Sequence, residues 1–160
     1  MRVLPADPRS RLIVYSDGAA RGNPGPAGIG AVVLDEDGQV VAEVAQGIGI
    51  ATNNVAEYRA ALAGLEAARA AGARSVHLRA DSRLLIEQLA GRFRVKNPTL
   101  IRLNQQVRDV LRSFDAVEFE HVRREKNRHA DRLANVGVDD WLTNEGSSYR
   151  PPEPSPELFD

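Results

Sequence analysis

The chain has 160 residues, of which 42% are hydrophobic and 27% are charged, and it contains no cysteine. This length fits a single globular domain, and the composition excludes a disordered chain, a disulfide framework and any thiolate site. The net charge of −1 does not exclude a nucleic-acid partner, because residues 92–132 carry 11 basic and 6 acidic groups whereas residues 133–160 carry 1 and 6.

The first third of the chain predicts three antiparallel strands. Apolar runs at 11–16, 29–34 and 40–44 predict the strands, and Asp-Glu-Asp-Gly at 35–38 predicts the hairpin turn between the second and the third. Residues 21–28 are too rich in Gly and Pro for regular structure and predict a tight loop.

The rest of the chain predicts four helices and two further strands. The first is a helix to about residue 71, with Thr52, Asn53 and Asn54 as candidate caps, and it is followed by a strand at 76–80 and a short helix at 81–90. Next come a helix at 99–113 capped by Thr99 and a strand at 117–122. The last helix runs from its cap Asn127 to about residue 142. The order βββαβααβα predicts an α/β domain at 11–142 with a mixed sheet, in which strands separated by a helix run parallel.

The two ends of the chain differ from this domain. Residues 1–10 form an N-terminal extension without the apolar core of a signal peptide, and no later run is long enough to span a bilayer. With no cysteine, the sequence predicts a cytoplasmic protein. Residues 143–160 form an acidic tail with four prolines from Pro151 to Pro156, which we expect to be flexible. The tail is either a partner-binding or linker segment or a solvated terminus without a role.

Four acidic residues occupy unusual places. Asp17 and Asp81 each close an apolar strand, and parallel strands would bring both carboxylates to the edge of the sheet where α/β folds bind ligands. Glu57 lies on the small-residue face of the first helix and is expected to point inward, and Asp131 lies in the first turn of the last helix. Taken singly, each has a structural explanation as a turn residue or as a partner of the helix dipole.

Together, these acids predict a metal site. Carboxylates that converge in one cleft repel one another unless a cation neutralises them. A cluster of oxygen ligands without His or Cys suits Mg²⁺ or Mn²⁺. Two such ions can clamp the attacking and leaving oxygens of a phosphodiester, which makes a nuclease the natural interpretation.

Four segments resemble the motif blocks of the type-1 ribonuclease H family, in the family's order. They read YSDGAARGNPGPAGIGAVV, ATNNVAEYRAALAGLEAA, LRADSRLLIEQL and VRREKNRHADRLAN, and they span most of residues 11–140. The resemblance is strongest to the compact bacterial and archaeal branch, which includes a ribonuclease H domain that some bacteria fuse to a phosphatase. It implies a five-stranded mixed sheet flanked by helices, with strands 1–3 antiparallel and strands 4 and 5 parallel to strand 1.

The resemblance also implies a reaction. The expected activity is endonucleolytic hydrolysis of the RNA strand of RNA–DNA hybrids, leaving 3′-hydroxyl and 5′-phosphate ends. Two Mg²⁺ ions, or Mn²⁺ in their place, would be held by Asp17, Glu57, Asp81 and Asp131. Compact members also act on double-stranded RNA, so activity on that substrate is left as an open alternative. The chain is expected to act as a monomer and to have no membrane partner.

Further positions match the family's substrate contacts. The matching residues that face the substrate are Gly18, Asn23, Asn53, Asn54 and Ser82, and those that hold a phosphate of the DNA strand are Thr52 and Asn97. Short amide side chains and exposed backbone can recognise the 2′-hydroxyls that distinguish RNA from DNA. Asn53 and Asn54 have the alternative role of helix caps.

The sequence departs from the family in three places. An arginine replaces the histidine that many bacterial members carry before the last acid; Arg124 matches best, and Arg123 is the alternative. Arginine does not exchange protons near neutral pH, so its role would be electrostatic. In addition, Arg83 stands where a neutral polar residue is commoner, which predicts a different substrate contact near Asp81.

The third departure is a shortened basic region. In place of a basic helix and loop, the chain has GRFRVKNPTL, in which Arg92, Arg94 and Lys96 accompany Phe93. These side chains either hold backbone phosphates or form a solvated face. The three histidines, at positions 77, 121 and 129, are interpreted as structural or exposed.

Two other functions compete with the nuclease. One is a nucleic-acid-binding module that has lost catalysis, which the presence of all four acids argues against. The other is a nucleotide-binding protein with GNPGPAGIG as its phosphate loop, but the segment lacks the Walker lysine and the dinucleotide glycine spacing.

Overall fold

The computed structural model describes residues 11–146 and Tyr149. Five strands form one sheet in the order β3-β2-β1-β4-β5. The strands are β1 (Arg11–Ala20), β2 (Gly25–Leu34), β3 (Val40–Ala51), β4 (Ser75–Ala80) and β5 (Ala116–His121). β2 is antiparallel to both β1 and β3, β4 is parallel to β1, and β5 is parallel to β4. The predicted mixed sheet is confirmed.

Four α-helices and one short 3₁₀ turn complete the fold. They are α1 (Asn53–Ala70), α2 (Arg83–Leu89), α3 (Pro98–Leu111), the 3₁₀ turn Arg124–Lys126 and α4 (Arg128–Asn144). No helix of the described residues is long and apolar enough to cross a membrane. The predicted N-terminal extension at 1–10 and most of the predicted tail at 143–160 lie outside the described residues.

The helices pack on both faces of the sheet. Gly64 of α1 lies against the side chains of Val14 and Ala31, whereas Gly30, the neighbour of Ala31 in β2, lies against α4. Since successive strand residues point to opposite faces, α1 and α4 cover opposite sides. The largest buried cluster lies on the α1 side and includes Leu12, Val14, Leu65 and Leu78, each with 0% of its surface exposed.

The predicted loop at 21–28 is too long. β2 already begins at Gly25. A Cβ atom at Gly28 or Gly30 would overlap the backbone of α4, so these glycines allow a close approach between helix and strand. A Gly-rich segment of this kind has the composition of a turn, and only the position of α4 shows that half of it belongs to a strand.

The structure corrects the predicted helix caps. Asn97, not Thr99, caps α3, because its side chain accepts hydrogen bonds from the N–H groups of Thr99 and Leu100 at 2.9 and 3.2 Å. Asn127 is the N-cap residue of α4, as predicted, but its side chain makes no capping hydrogen bond. α1 is capped by Thr52, whose Oγ1 accepts from the N–H of Val55 at 3.2 Å, so the alternative of Asn53 or Asn54 as the cap is wrong.

A buried polar network joins α1, α2 and α3. The Tyr58 hydroxyl donates to Gln88 Oε1 at 2.7 Å and accepts from Asn104 Nδ2 at 3.2 Å. Gln88 Nε2 in turn donates to the backbone carbonyl of Arg94 at 3.2 Å. Because buried polar groups need partners, this network fixes the loop between α2 and α3, which contains the basic residues noted above.

Candidate active site

Three carboxylates converge where two parallel strands stop pairing. The pairing of β1 with β4 ends at Ser16 and Ala80, so Asp17 and Asp81 directly follow the last paired residues. β1 itself continues to Ala20, so the expectation that Asp17 closes the strand is wrong. One carboxylate oxygen from each of Asp17, Glu57 and Asp81 lies within 4.8 Å of the other two.

Asp131 shares a cavity with these three acids. The cavity has a volume of about 440 Å³, and its lining also includes Arg124 and residues at the ends of α1 and α2. Asp131 lies in the first turn of α4, and its side chain contributes to the raised pKa of Asp17. The structure therefore brings all four predicted acids to one cavity, with Asp131 outside the tightest group of three.

Gly18 positions α1 beside β1. A Cβ atom at Gly18 would overlap the backbone carbonyl carbon of Ala56 and the backbone nitrogen of Glu57. The absence of a side chain lets the first turn of α1 pack directly on the strand, and the Gly18 backbone acts to lower the pKa of the Glu57 carboxyl. The sequence predicted Gly18 as a substrate contact, and it lines the cavity as well.

Asn127 ties α4 to the same strand. Its side chain is 1% exposed, and its Nδ2 donates to the backbone carbonyl of Ser16 at 2.9 Å. Its own carbonyl accepts from the N–H of Asp131 at 3.1 Å. Asn127 therefore fixes the turn that contains Asp131 next to the strand that contains Asp17. The sequence indicated only a helix cap here, since an asparagine before a helix has that role by default.

Burial makes the acidic cluster costly without a cation. Burial first, and then the negative charges of Glu57 and Asp81, raises the pKa of Asp17 to about 10. Burial also raises the pKa of Glu57 to about 7, although hydrogen bonds from Asp17 and the Gly18 backbone and the charge of Arg124 act in the opposite direction. Glu57 Oε2 is buried without a hydrogen-bond partner. An orphaned oxygen in an all-carboxylate set fits a hard divalent cation.

The same burial, together with the neighbouring charges, predicts that the metal-free protein is stabilised when the Asp17 carboxyl is replaced by a neutral amide. Because the pKa of Asp17 is higher in the folded than in the unfolded chain, its carboxyl destabilises the fold increasingly as the pH rises above about 4. At pH 7 in EDTA, Asp17→Asn is expected to raise the free energy of unfolding by about 1–2 kcal/mol in urea denaturation. The exposed Asp115→Asn should leave stability almost unchanged, and a less stable Asp17→Asn protein would contradict the argument from burial and neighbouring charge.

Arg124, rather than Arg123, reaches the acids. Arg124 lines the cavity with the four carboxylates, and its charge lowers the pKa of Glu57. Arg123 is not among the residues that line this cavity. The geometry favours the first of the two alternatives left by the sequence, and the role of Arg124 stays a prediction.

The predicted substrate residues divide between two neighbouring cavities. Gly18, Asn53, Asn54 and Ser82 line the carboxylate cavity. A second cavity, of about 280 Å³, lies between the N-termini of α1 and α3, and Asn23, Thr52, Asn54 and Asn97 line it. Asn23 Oδ1 accepts from the N–H of Asn53 at 3.0 Å and so links the loop after β1 to α1.

Two of the predicted contacts lie elsewhere. Arg83 and Lys96 are not among the residues that line either cavity. The Arg83 guanidinium stacks over the ring of Phe93, with its central carbon 5.9 Å from the ring centroid. Phe93 is 41% exposed, so this pair forms part of the surface beside Ser82.

One histidine lies closer to the site than expected. His121 Nε2, at the end of β5, lies 3.2 Å from the backbone carbonyl oxygen of Asp81. His77 and His129 instead face Glu120 and Glu43, at 2.9 and 2.6 Å. Pairing β5 in parallel with β4 brings His121 to the level of Ala80, a placement that no local sequence signal reveals.

Comparison with known proteins decides the family. Residues 15–137 match the family model described as Reverse transcriptase-like. Ribonuclease HI of Halobacterium salinarum is 46% identical over 138 residues, which are 86% of this chain and 69% of that protein. The chain belongs to the type-1 ribonuclease H family.

Two further relatives of this ribonuclease H chain are informative. The bifunctional protein Rv2228c of Mycobacterium tuberculosis is 47% identical over 130 residues, or 81% of this chain, and the chain spans only 36% of that protein's length. The structure of LC11-RNase H1, isolated from compost, in complex with an RNA/DNA hybrid matches with a TM-score of 0.78 at 41% identity. That match covers 82% of this chain and 99% of the other.

Proposed function

We propose that this chain is an endoribonuclease that hydrolyses the RNA strand of RNA–DNA hybrids and leaves 3′-hydroxyl and 5′-phosphate ends. The observation that supports it most is the convergence of Asp17, Glu57, Asp81 and Asp131 on one cavity in a member of the ribonuclease H family. The hybrid bound by its relative LC11-RNase H1 supports the same substrate class.

The four carboxylates are proposed to hold two divalent ions, with Mg²⁺ as the resident ion and Mn²⁺ as a substitute. Their oxygen-only donor set and the unpartnered Glu57 Oε2 support this choice. Bound ions would supply an activated water and a stabilised leaving oxygen. All four acids come from one chain, which supports a monomeric enzyme, and a cytoplasmic location stays a prediction from the sequence.

The remaining residues are proposed to bind and orient the two strands. Asn53, Asn54, Ser82 and the Gly18 backbone line the carboxylate cavity, where amide, hydroxyl and N–H groups can recognise 2′-hydroxyls of the RNA strand. Thr52 and Asn97 lie in the second cavity, at the N-termini of two helices, and are proposed to bind a phosphate of the DNA strand.

The basic loop between α2 and α3 is proposed to contribute phosphate contacts without sequence preference. Lys96 and Arg94 make no ion pair within the part of the chain that the structure describes, whereas Arg92 pairs with Glu87. Arg83, stacked on Phe93, lies beside Ser82 and is proposed to contact the substrate near Asp81. These contacts position the hybrid but carry no base readout.

One assay tests the activity. An end-labelled RNA–DNA hybrid is incubated with Mg²⁺ or Mn²⁺, beside double-stranded RNA and double-stranded DNA of the same sequence. We expect internal cuts in the RNA strand of the hybrid, with 3′-hydroxyl and 5′-phosphate ends. An intact hybrid in both metals would contradict the enzyme, and cleaved double-stranded RNA would extend the substrate range.

Arg124 is expected to assist turnover through its charge. Because its guanidinium faces the cavity but does not transfer protons, Arg124→Ala should slow cleavage by about 10- to 100-fold without abolishing it. Arg124→Lys, which keeps the charge, should retain more of the rate. Arg123→Ala is the matched control and should cleave nearly as fast as the wild type. Equal losses in the two alanine variants would show that neither arginine has the special role.

A further inference from the structure

Three arginines recur at intervals of four residues around the start of α4. Arg124 lies in the 3₁₀ turn, and Arg128 and Arg132 lie in the first turns of α4. A spacing of four residues places Arg128 and Arg132 on the same face of the helix. All three, which we call the arginine row, line a cavity of about 530 Å³ together with Glu125 and Asp131.

This cavity adjoins the carboxylate cavity. Arg124 and Asp131 line both of them, so the two cavities meet at these two residues. A strand with one phosphate at the four acids can therefore reach the arginine row without leaving the surface that these two cavities share. The cavity that Thr52 and Asn97 line includes no residue of the arginine row.

The charges of the arginine row are available to a ligand. All three side chains are exposed, and within residues 11–146 none of them makes an ion pair or a side-chain hydrogen bond. Other arginines of the chain do pair, for example Arg21 with Asp139 at 2.7 Å. Two acids, Glu125 and Asp131, line this cavity with the three guanidinium groups. Asp131 is also one of the proposed metal ligands, and a bound cation would offset its negative charge.

We propose that the arginine row binds backbone phosphates of the RNA strand on one side of the cleavage position. The proposal rests on the proposed function, because it takes the strand at the four acids to be RNA. Guanidinium groups suit this ligand, since their planar array of donors matches phosphate oxygens in pairs. Arg128 and Arg132 thereby extend the substrate contacts beyond those that the motif blocks indicate.

The first test measures how binding depends on salt. Hybrid affinity is measured from about 0.05 to 0.3 M KCl, a range that includes physiological salt. The variant is Arg128→Ala/Arg132→Ala in an Asp81→Asn background, which prevents cleavage. Each lost phosphate contact should lower the slope of log affinity against log salt by about 0.9, and binding of the double variant at 0.1 M salt should be about tenfold weaker.

The control removes the same charge elsewhere. Arg69 and Arg112 lie at the C-terminal ends of α1 and α3, helices whose N-termini are at the site. Arg69→Ala/Arg112→Ala in the same background should keep the slope and affinity of the parent. An equal change of slope and affinity in the two double variants would show a general effect of charge. That result would overturn the proposal that the arginine row binds phosphates.

The second test locates the contact on the RNA strand. The RNA is shortened on one side of the cleavage position and then on the other, while the DNA strand keeps its full length. Shortening on one side only should abolish the difference between the double variant and its parent. A difference that survives both truncations would overturn the assignment to the RNA strand.

The failure of this proposal is distinguishable from failure of the proposed function. If neither the wild type nor the Asp81→Asn parent binds hybrid and the wild type does not cut it, the function itself is wrong. If cleavage and binding are present but the slope of the double variant equals that of its parent, only the arginine row is wrong.

Discussion

Asp81→Asn is expected to reduce hybrid cleavage at least about a thousandfold while the variant still binds hybrid. The substitution keeps the shape of the side chain but removes a charged oxygen from a group of three whose ligand atoms lie within 4.8 Å of one another. A weaker cation site impairs the reaction itself. Binding survives because the phosphate contacts come from other residues, and the loss of a negative charge reduces repulsion of the phosphates.

The measurement pairs initial cleavage rates in Mg²⁺ with hybrid affinity in EDTA. Asp115→Asn is the matched control, because Asp115 precedes β5 at the opposite end from His121 and forms an exposed ion pair with Arg74. This control should cleave at the wild-type rate. Wild-type cleavage by Asp81→Asn would show that the proposed metal ligands are wrong, and lost hybrid binding would contradict the separation of binding from chemistry.

Gly18→Ala should damage both the fold and the reaction. The added Cβ overlaps the backbone of Ala56 and Glu57, so it can be accommodated only if α1 moves away from β1. We expect the free energy of unfolding to fall by about 2–4 kcal/mol, because the overlap involves backbone atoms that cannot rotate away. The same movement would separate Glu57 from Asp17 and reduce cleavage at least about a hundredfold.

Gly64→Ala provides the comparison within the same helix. Its Cβ would meet side-chain atoms, Val14 Cγ1 at 2.6 Å and Ala31 Cβ at 3.0 Å, and it lies two turns beyond Glu57. This variant is expected to lose less stability and to keep most of its cleavage. Urea denaturation and cleavage rates measure both effects. A Gly18→Ala protein that is as stable and as active as Gly64→Ala would contradict the close-packing argument.

The sequence alone was sufficient for the types and the order of the elements. Hydrophobic periodicity, turns and caps are local signals, so the strand from residue 11, the hairpin at 35–38 and the helix that ends near 71 could be predicted from short segments. The four acids could be chosen for a similar reason, because Asp17 and Asp81 come after apolar runs, and Glu57 and Asp131 lie early in helices, all within motif blocks. Their convergence on one cavity agrees with that choice.

Only the tertiary structure decided which residues act through distant partners. Gly28 and Gly30 have the composition of a loop, and their place in β2 depends on how closely α4 approaches. Asn127 bonds through its side chain to Ser16, 111 positions away, so its role as a link between α4 and β1 has no local signal. Burial and neighbouring charges that raise the pKa of Asp17 likewise come from three separate segments.

The difference between local and tertiary information also explains why the sequence does not show which arginines are available to a ligand. The segment at 92–132 is basic as a sequence, but its net charge does not show which guanidinium groups are already paired. Arg92 and Arg112 pair with acids a few positions away in the chain, whereas Arg124, Arg128 and Arg132 line one cavity beside Asp131. Charge along a chain is a local property, and its availability to a ligand depends on packing, which the sequence specifies only through the folded structure.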